Sequence, residues 1–186
     1  MAVSKFIQAV KDETRGRPRS TARYRDKIKE FGEPGASQLI KDGKRNDQPF
    51  YGKLNMFFYD PKFKKTLPYY DTFPLVLPLE TYNDGFLGLN FHYLPIPLRV
   101  KLLDKLVDYT NSDDFTDVST RMVVDYNKLK SIRLIRPTIH KYLSGNTKSQ
   151  FRRIDADEWT IATLLPVQRF KKASDKEVWK ESRSMI

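Results

Sequence analysis

The chain has 186 residues, and its 34 lysines and arginines against 23 aspartates and glutamates give a formal net charge of +11. That length makes one domain, or one domain with an arm; 39% hydrophobic and 31% charged residues suit a soluble globular chain with no apolar run long enough to span a bilayer. The lack of cysteine excludes disulfides, thiolate zinc sites and cysteine nucleophiles, and residues 1–8 lack the apolar core of a secretion signal, so the expected location is the cytoplasm.

The charge is unevenly spread. Residues 1–50 hold 12 basic and 7 acidic side chains, against 5 and 4 in residues 51–100, 9 and 6 in residues 101–150 and 8 and 6 in residues 151–186. Near the start, Phe6, Ile7 and Val10 stand at helical spacing and predict one or two turns over residues 4–11 that dock on another surface. Residues 12–49 carry few large apolar side chains and many breakers, including Gly16, Pro18, Gly32, Pro34, Gly35, Gly43 and Pro49, and read as a largely extended basic N-terminal arm over 1–49. Within it, residues 22–31 predict a short basic helix that Gly32 ends, with Tyr24, Ile28 and Phe31 on one side.

The core of the arm is Arg15-Gly16-Arg17-Pro18-Arg19. Pro18 fixes its own φ and pushes Arg17 toward extended geometry, Gly16 removes the Cβ that would hold the backbone off a groove floor, and the flanking arginines reach sideways. A narrow minor groove concentrates negative potential and favours inserted arginine. The segment resembles the core of the AT-hook family of DNA-binding peptides, with Thr14 where that family has a proline. Arg23, Arg25 and Lys27 extend the basic surface. The expected partner is double-stranded DNA, bound without sequence preference and with affinity that falls steeply as salt rises. The plain alternative is a solvated basic arm.

At Phe50 the composition changes: residues 50–93 contain 13 of the 24 aromatics. Leu54, Met56 and Phe58 alternate with Asn55, Phe57 and Tyr59, which predicts a strand with one buried and one aromatic face. Asp60-Pro61-Lys62 turns the chain into a basic loop, where Lys62, Lys64 and Lys65 stand beside Tyr59, Phe63, Tyr69 and Tyr70, a pairing able to stack bases and meet phosphates. A strand over 73–79 has to be an edge or bend sharply, because Pro74 and Pro78 cannot donate ladder hydrogen bonds. Asn83-Asp84-Gly85 signals a hairpin whose return strand is 86–91. Three or four short bent strands with a long first loop predict a small, half-open antiparallel β-barrel of the Src-homology kind.

Pro97 fits the first turn of a helix with an apolar stripe of Leu98, Leu102, Leu103, Leu106 and Val107. A polar loop at 111–114, a strand at 122–124, a short helix at 126–132 and a helix from Pro137 to Gly145 follow, the last with Ile139, Tyr142 and Leu143 inward. Residues 151–154 predict a strand in which Arg152 and Arg153 add a phosphate contact. Asp155 with Glu158 forms a capping box for a helix over 156–164, which Pro166 stops. The fold class expected is α+β: a globular domain over 50–170 with packed helices around the small barrel, the arm before it, and a basic, mostly polar tail over 171–186.

Catalytic constellations are scarce. His92 sits among aromatics and reads as a packed core residue, with general-base chemistry as the alternative; His140 sits on a helix face. Asp113, Asp114 and Asp117, or Asp155, Asp157 and Glu158, have the chemistry to hold magnesium, although turn and capping roles account for both groups. There is no phosphate-cradling glycine loop, nucleophile elbow or dinucleotide fingerprint. No cofactor, no small-molecule substrate and no enzymatic activity are expected.

One longer resemblance adds to this. Within residues 58–106, the run 58–80, opening Phe58-Tyr59-Asp60-Pro61 and closing Leu75-Val76-Leu77-Pro78-Leu79-Glu80, and the stretch Asp84-Gly85-Phe86-Leu87-Gly88-Leu89-Asn90-Phe91-His92-Tyr93-Leu94-Pro95, together with the late Asp157-Glu158-Trp159 and Leu165-Pro166-Val167, are similar to virion-associated proteins of large contractile-tailed bacteriophages, in particular the DNA end protector, or head-completion, class. The resemblance implies a non-enzymatic protein, present in the host cytoplasm during assembly and then in the virion, that holds the end of packaged DNA alongside other phage structural proteins. Two alternatives stay open: a neck, tail or baseplate subunit whose arm lies on neighbouring subunits, and a metal-dependent nuclease using Asp113, Asp114 or Asp117.

Overall fold

The structure is a computed structural model that describes residues 5–14, 20–108, 120–122, 124 and 129–186. The expected polar loop at 111–114, residues 126–128 of the short helix expected at 126–132 and Val123 of the strand at 122–124 lie outside the described residues.

The two short helices expected in the N-terminal segment are present, and a third joins them, so less of it is extended than its composition predicts. Helix α1 (Lys5–Thr14) buries Ile7, Val10 and Thr14, α2 (Thr21–Phe31) buries Tyr24 and Ile28, and α3 (Ala36–Lys41) buries Ala36, Leu39 and Ile40. These side chains belong to the same apolar cluster as Leu54, Leu102 and Trp159. Composition misleads here because a helix needs only two or three apolar residues at i, i+3, i+4 and i+7 to dock when a complementary surface exists. The breakers mark the ends of helices. Gly32 leaves α2 at φ 81, in the left-handed region that suits glycine, and Pro34 and Gly35 precede α3. Phe6 meets Phe31 edge-on, at 6.3 Å between ring centroids.

Eight strands follow in chain order: β1 (Arg45–Asn46), β2 (Leu54–Met56), β3 (Tyr70–Asp71), β4 (Leu75–Tyr82), β5 (Gly85–Asn90), β6 (Ile139–Leu143), β7 (Phe151–Ile154) and β8 (Phe170–Lys171). Six form one antiparallel sheet in the order β1-β7-β2-β4-β5-β6, and β3 pairs with β8 separately. No closed barrel forms among the described residues: β1 and β6 stand at opposite edges. The aromatic face assigned to a barrel interior is covered by its own rings. Phe57, Tyr59, Phe86, Tyr142 and Phe151 pack with centroids 4.7–6.2 Å apart, so ring-on-ring contact does what strand closure was expected to do.

The period-two reading of β2 holds. Leu54, Met56 and Phe58 join the main core, and Phe57 and Tyr59 the aromatic cluster. β4 is interior at Leu75 and Val76, where β2 and β5 flank it, and its register shifts between Pro78 and Glu80, past the end of β2. The prolines thus sit where no ladder donor is required. Gly85 opens β5 so close to β6 that a Cβ would lie 1.9 Å from the Tyr142 carbonyl oxygen, which leaves room only for glycine.

Helix α4 (Ile96–Val107) starts at Pro95 and Pro97 and buries Leu102, Leu103 and Leu106 as expected, together with Arg99. The helix expected from Pro137 is instead a 3₁₀ segment, Arg133–Thr138, running into β6. Ile139, Tyr142 and Leu143 satisfy helical spacing, but His140 and Tyr142 turn inward while Ile139 and Lys141 are exposed, and the open edge of β5 supplies the partner that decides for strand. The Asp155–Glu158 capping box is present and leads through a 3₁₀ turn into α5 (Trp159–Leu164). The tail is also a docked element. In α6 (Asp175–Met185), Ser174 and Glu177 cap the start, Val178 is buried, and the Trp179 indole donates to the His92 carbonyl at 2.9 Å.

Candidate nucleic-acid interface

Arg15, Gly16, Arg17, Pro18 and Arg19 lie outside the described residues. In α2, Arg25 is exposed and Arg23 half-buried, while Lys27 meets Glu30 at 2.8 Å and Glu13 at 3.6 Å. On β7 the expected phosphate contact is not offered by Arg152. Its side chain is fully buried and faces Glu158 at 3.2 Å, because its strand position points between sheet and helices. Arg153 is held by Asp155, with Nε 2.8 Å from Oδ1.

Lys62, Lys64 and Lys65 are exposed on the loop between Tyr59 and β3. Lys64 is tied to Asp60 at 2.9 Å, and Lys62 lies over the Phe63 ring, 5.4 Å from its centroid. Two further ties shape this loop. The Phe63 carbonyl accepts from the Thr66 and Leu67 amides, and the Lys172 ammonium donates to the carbonyls of Lys65 and Leu67 at 2.9 and 2.8 Å. Lys172 itself stands at φ 69.

Between this loop, β6, Tyr93 and the end of α6 opens a cavity of about 730 Å³. Tyr59, Tyr93 and Tyr142 lie deep in it; Lys62, Phe63, Arg136 and Lys141 are at its exposed mouth. Tyr93 packs on the His140 ring at 4.0 Å and edge-on to Phe170 at 5.2 Å, and Tyr59 accepts a hydrogen bond from the Leu143 amide. The sequence-predicted set of Tyr59, Phe63, Tyr69 and Tyr70 with Lys62 is therefore brought to one site. Arg136, His140, Lys141 and Ser182 join it without any sequence motif to announce them; only the alternation of β6, read as a helix, bore on two of them.

Apart from Asp71, whose carboxylate also lines the cavity, the deep side chains are uncharged. Burial pushes the phenols of Tyr93 and Tyr142 well above their ordinary value, and burial with a hydrogen bond to Glu181 raises Tyr69 to about 12. Burial also lowers His140 to about 4, against the opposing effect of its Nε2 donating to the Pro137 carbonyl at 3.1 Å. A histidine kept neutral in the folded chain binds fewer protons than the unfolded chain below its ordinary pKa near 6.5, so stability falls as pH drops from there toward about 4. In urea titrations at pH 7 and pH 5, the His140→Gln variant is expected to lose about 2 kcal/mol less stability between the two than the parent chain. An identical loss in both would remove His140 as the cause.

Behind the cavity lies a buried polar network. Asp71 Oδ1 accepts from the Phe73 and Arg169 amides at 3.0 and 3.1 Å, and Oδ2 accepts from Asn90 at 3.2 Å and His92 Nδ1 at 2.8 Å. Burial opposes ionisation of Asp71, but His92 and the two amides outweigh it and hold the carboxyl below its ordinary value; burial drives His92 down despite that carboxylate. His92 is thus a packed residue held by Asp71. Fully buried Arg99 donates to the carbonyls of Leu94 and Leu165 and to Gln168, whose amide donates in turn to Asp175 on α6.

Among the described residues no group of three histidines, aspartates or glutamates is placed to hold a metal ion, and no helix is long and apolar enough to cross a membrane. Asp113, Asp114 and Asp117 lie outside the described residues. Asp155, Asp157 and Glu158 are each paired with a cation, Arg153, Lys11 and Arg152 respectively, which accounts for them structurally.

No curated protein and no solved structure matches the chain. A family model described as Phage T4 terminal DNA protecting protein matches residues 1–182, nearly the whole length, and the chain therefore belongs to that family.

Proposed function

We propose that the protein binds the termini of double-stranded DNA stoichiometrically, without sequence preference, and shields them from exonucleases as a virion component assembled in the host cytoplasm. The observation that carries this reading beyond the family match is the cavity, where aromatic rings lie beneath an exposed mouth of Lys62, Phe63, Arg136 and Lys141, the last paired with Asp84 at 2.8 Å. Cations there meet phosphates and rings there meet bases, the two surfaces that a DNA end presents together and an internal duplex segment does not. The net charge of +11 supplies long-range attraction to the polyanion. The family description supports the association with termini, and neighbouring phage structural proteins are its natural partners in a head.

A gel shift with one DNA in two forms tests the reading. Linear duplex is expected to shift at protein concentrations at least tenfold below those needed for the same duplex closed into a circle. Equal shifts would leave DNA binding without end recognition, and no shift of either would favour a neck, tail or baseplate subunit that contacts only protein.

A further inference from the structure

We infer that the aromatic cavity accepts the unpaired terminal nucleotide of a DNA end, as a nucleobase together with its phosphate. This rests on the end-binding reading above and adds which part of the end enters which part of the fold.

Three observations converge on that ligand. At about 730 Å³ the cavity is within the range of sites that enclose a small molecule. Phe63 is 61% exposed at its mouth, yet the loop that carries it is fixed by the Lys172 ammonium and by the Thr66 and Leu67 amides. A rigidly presented, solvent-facing aromatic ring suits a planar partner. Ser182 lines the same cavity at 1% exposure, and its Oγ has no hydrogen-bond partner among the described residues. A buried hydroxyl without a partner is uncommon, and a base edge would satisfy it as donor or acceptor.

These features select an unpaired base over a paired one. A base within a terminal pair has its Watson–Crick edge occupied, whereas an extruded or overhanging base brings a free edge to Ser182 and a free face to Phe63. Lys62 and Arg136 at the mouth meet the phosphate that follows the base. An apolar peptide would use the rings but not the cations, and a bare phosphate the cations but not the rings.

The test uses the full chain and 2-aminopurine, whose fluorescence is quenched on stacking, in three probes: a linear duplex with the analogue as a one-nucleotide overhang, the same duplex blunt with the analogue in the terminal pair, and the free deoxynucleoside monophosphate. Binding is expected to quench the overhang probe, and the overhang duplex is expected to bind about tenfold more tightly than the blunt one. Phe63→Ala relieves the quenching and weakens overhang binding about tenfold, and Ser182→Ala weakens it a few-fold. Thermal unfolding of both variants confirms that the fold persists; Phe63, being exposed, keeps the test open should Ser182→Ala misfold. An overhang duplex that binds with unquenched analogue, or with quenching indifferent to Phe63→Ala, overturns this inference while leaving end binding intact. Free monophosphate bound as tightly as the overhang reassigns the cavity to free nucleotide and overturns the terminal assignment. A chain that binds no linear duplex at all ends both readings together.

Discussion

Replacing Arg99 by methionine is expected to cost about 3–5 kcal/mol, a large share of the roughly 5–15 kcal/mol by which a domain is stable. The side chain is fully buried, and burial pulls its guanidinium below the ordinary range while Asp71 and Asp175 pull it back. Methionine fills comparable space but leaves the Leu94 and Leu165 carbonyls and the Gln168 side chain without their donors, at 2.7, 3.2 and 2.8 Å in the parent chain. Lysine should rescue little, since a single ammonium cannot reach acceptors that lie around a planar fork. The urea midpoint reads the loss directly, and a shift worth less than about 1 kcal/mol would show that the network contributes little net stability. The consequence reaches the cavity as well, because Gln168 and Trp179 tie this network to α6, which supplies Ser182.

The second large effect is on binding. Changing Arg15, Arg17, Arg19, Arg23 and Arg25 together to alanine is expected to lower duplex affinity by about a thousandfold near physiological salt while α1 and α2 remain docked. Each phosphate contact releases counterions and contributes about 0.9 to the slope of log affinity against log salt, so loss of five contacts flattens that slope by roughly 4.5. Circular dichroism is expected to stay unchanged, because the buried positions of α2 are Tyr24 and Ile28 and not the arginines. Affinity and slope that stay at the parent values through a salt titration would mean that these cations do not touch DNA, and the cavity mouth would then carry the electrostatics alone.

The family resemblance was legible in the residues around the hairpin and in Asp157-Glu158-Trp159, and the match across residues 1–182 bears it out. The cavity was legible only in part. Tyr59, Phe63, Tyr69 and Tyr70 beside lysines are visible as a cluster in the chain, whereas Tyr93, His140 and Ser182 reach it from positions whose separation in sequence hides their proximity. The docking of α6 has a local signal: Ser174 and Glu177 stand at capping-box spacing before Val178 and Trp179. Arg152 shows the opposite failure. A basic residue on a strand reads as surface, and only the burial of Glu158 opposite it turns it into a core ion pair.

By itself, the sequence determined what depends on neighbours a few residues away: the alternating faces of β2, the Gly85 hairpin, the capped start of α5 and the apolar stripe of α4. Those are set by backbone geometry and short-range hydrogen bonding, which a local window contains. Tertiary structure alone decided that α2 and α3 dock on the core beside α1, that residues 139–143 form a strand, and that the aromatic face closes on itself without closing a barrel. Each of these outcomes turns on whether a complementary surface or a free strand edge exists far along the chain, and burial against such a partner outweighs the weak local preference of the segment itself.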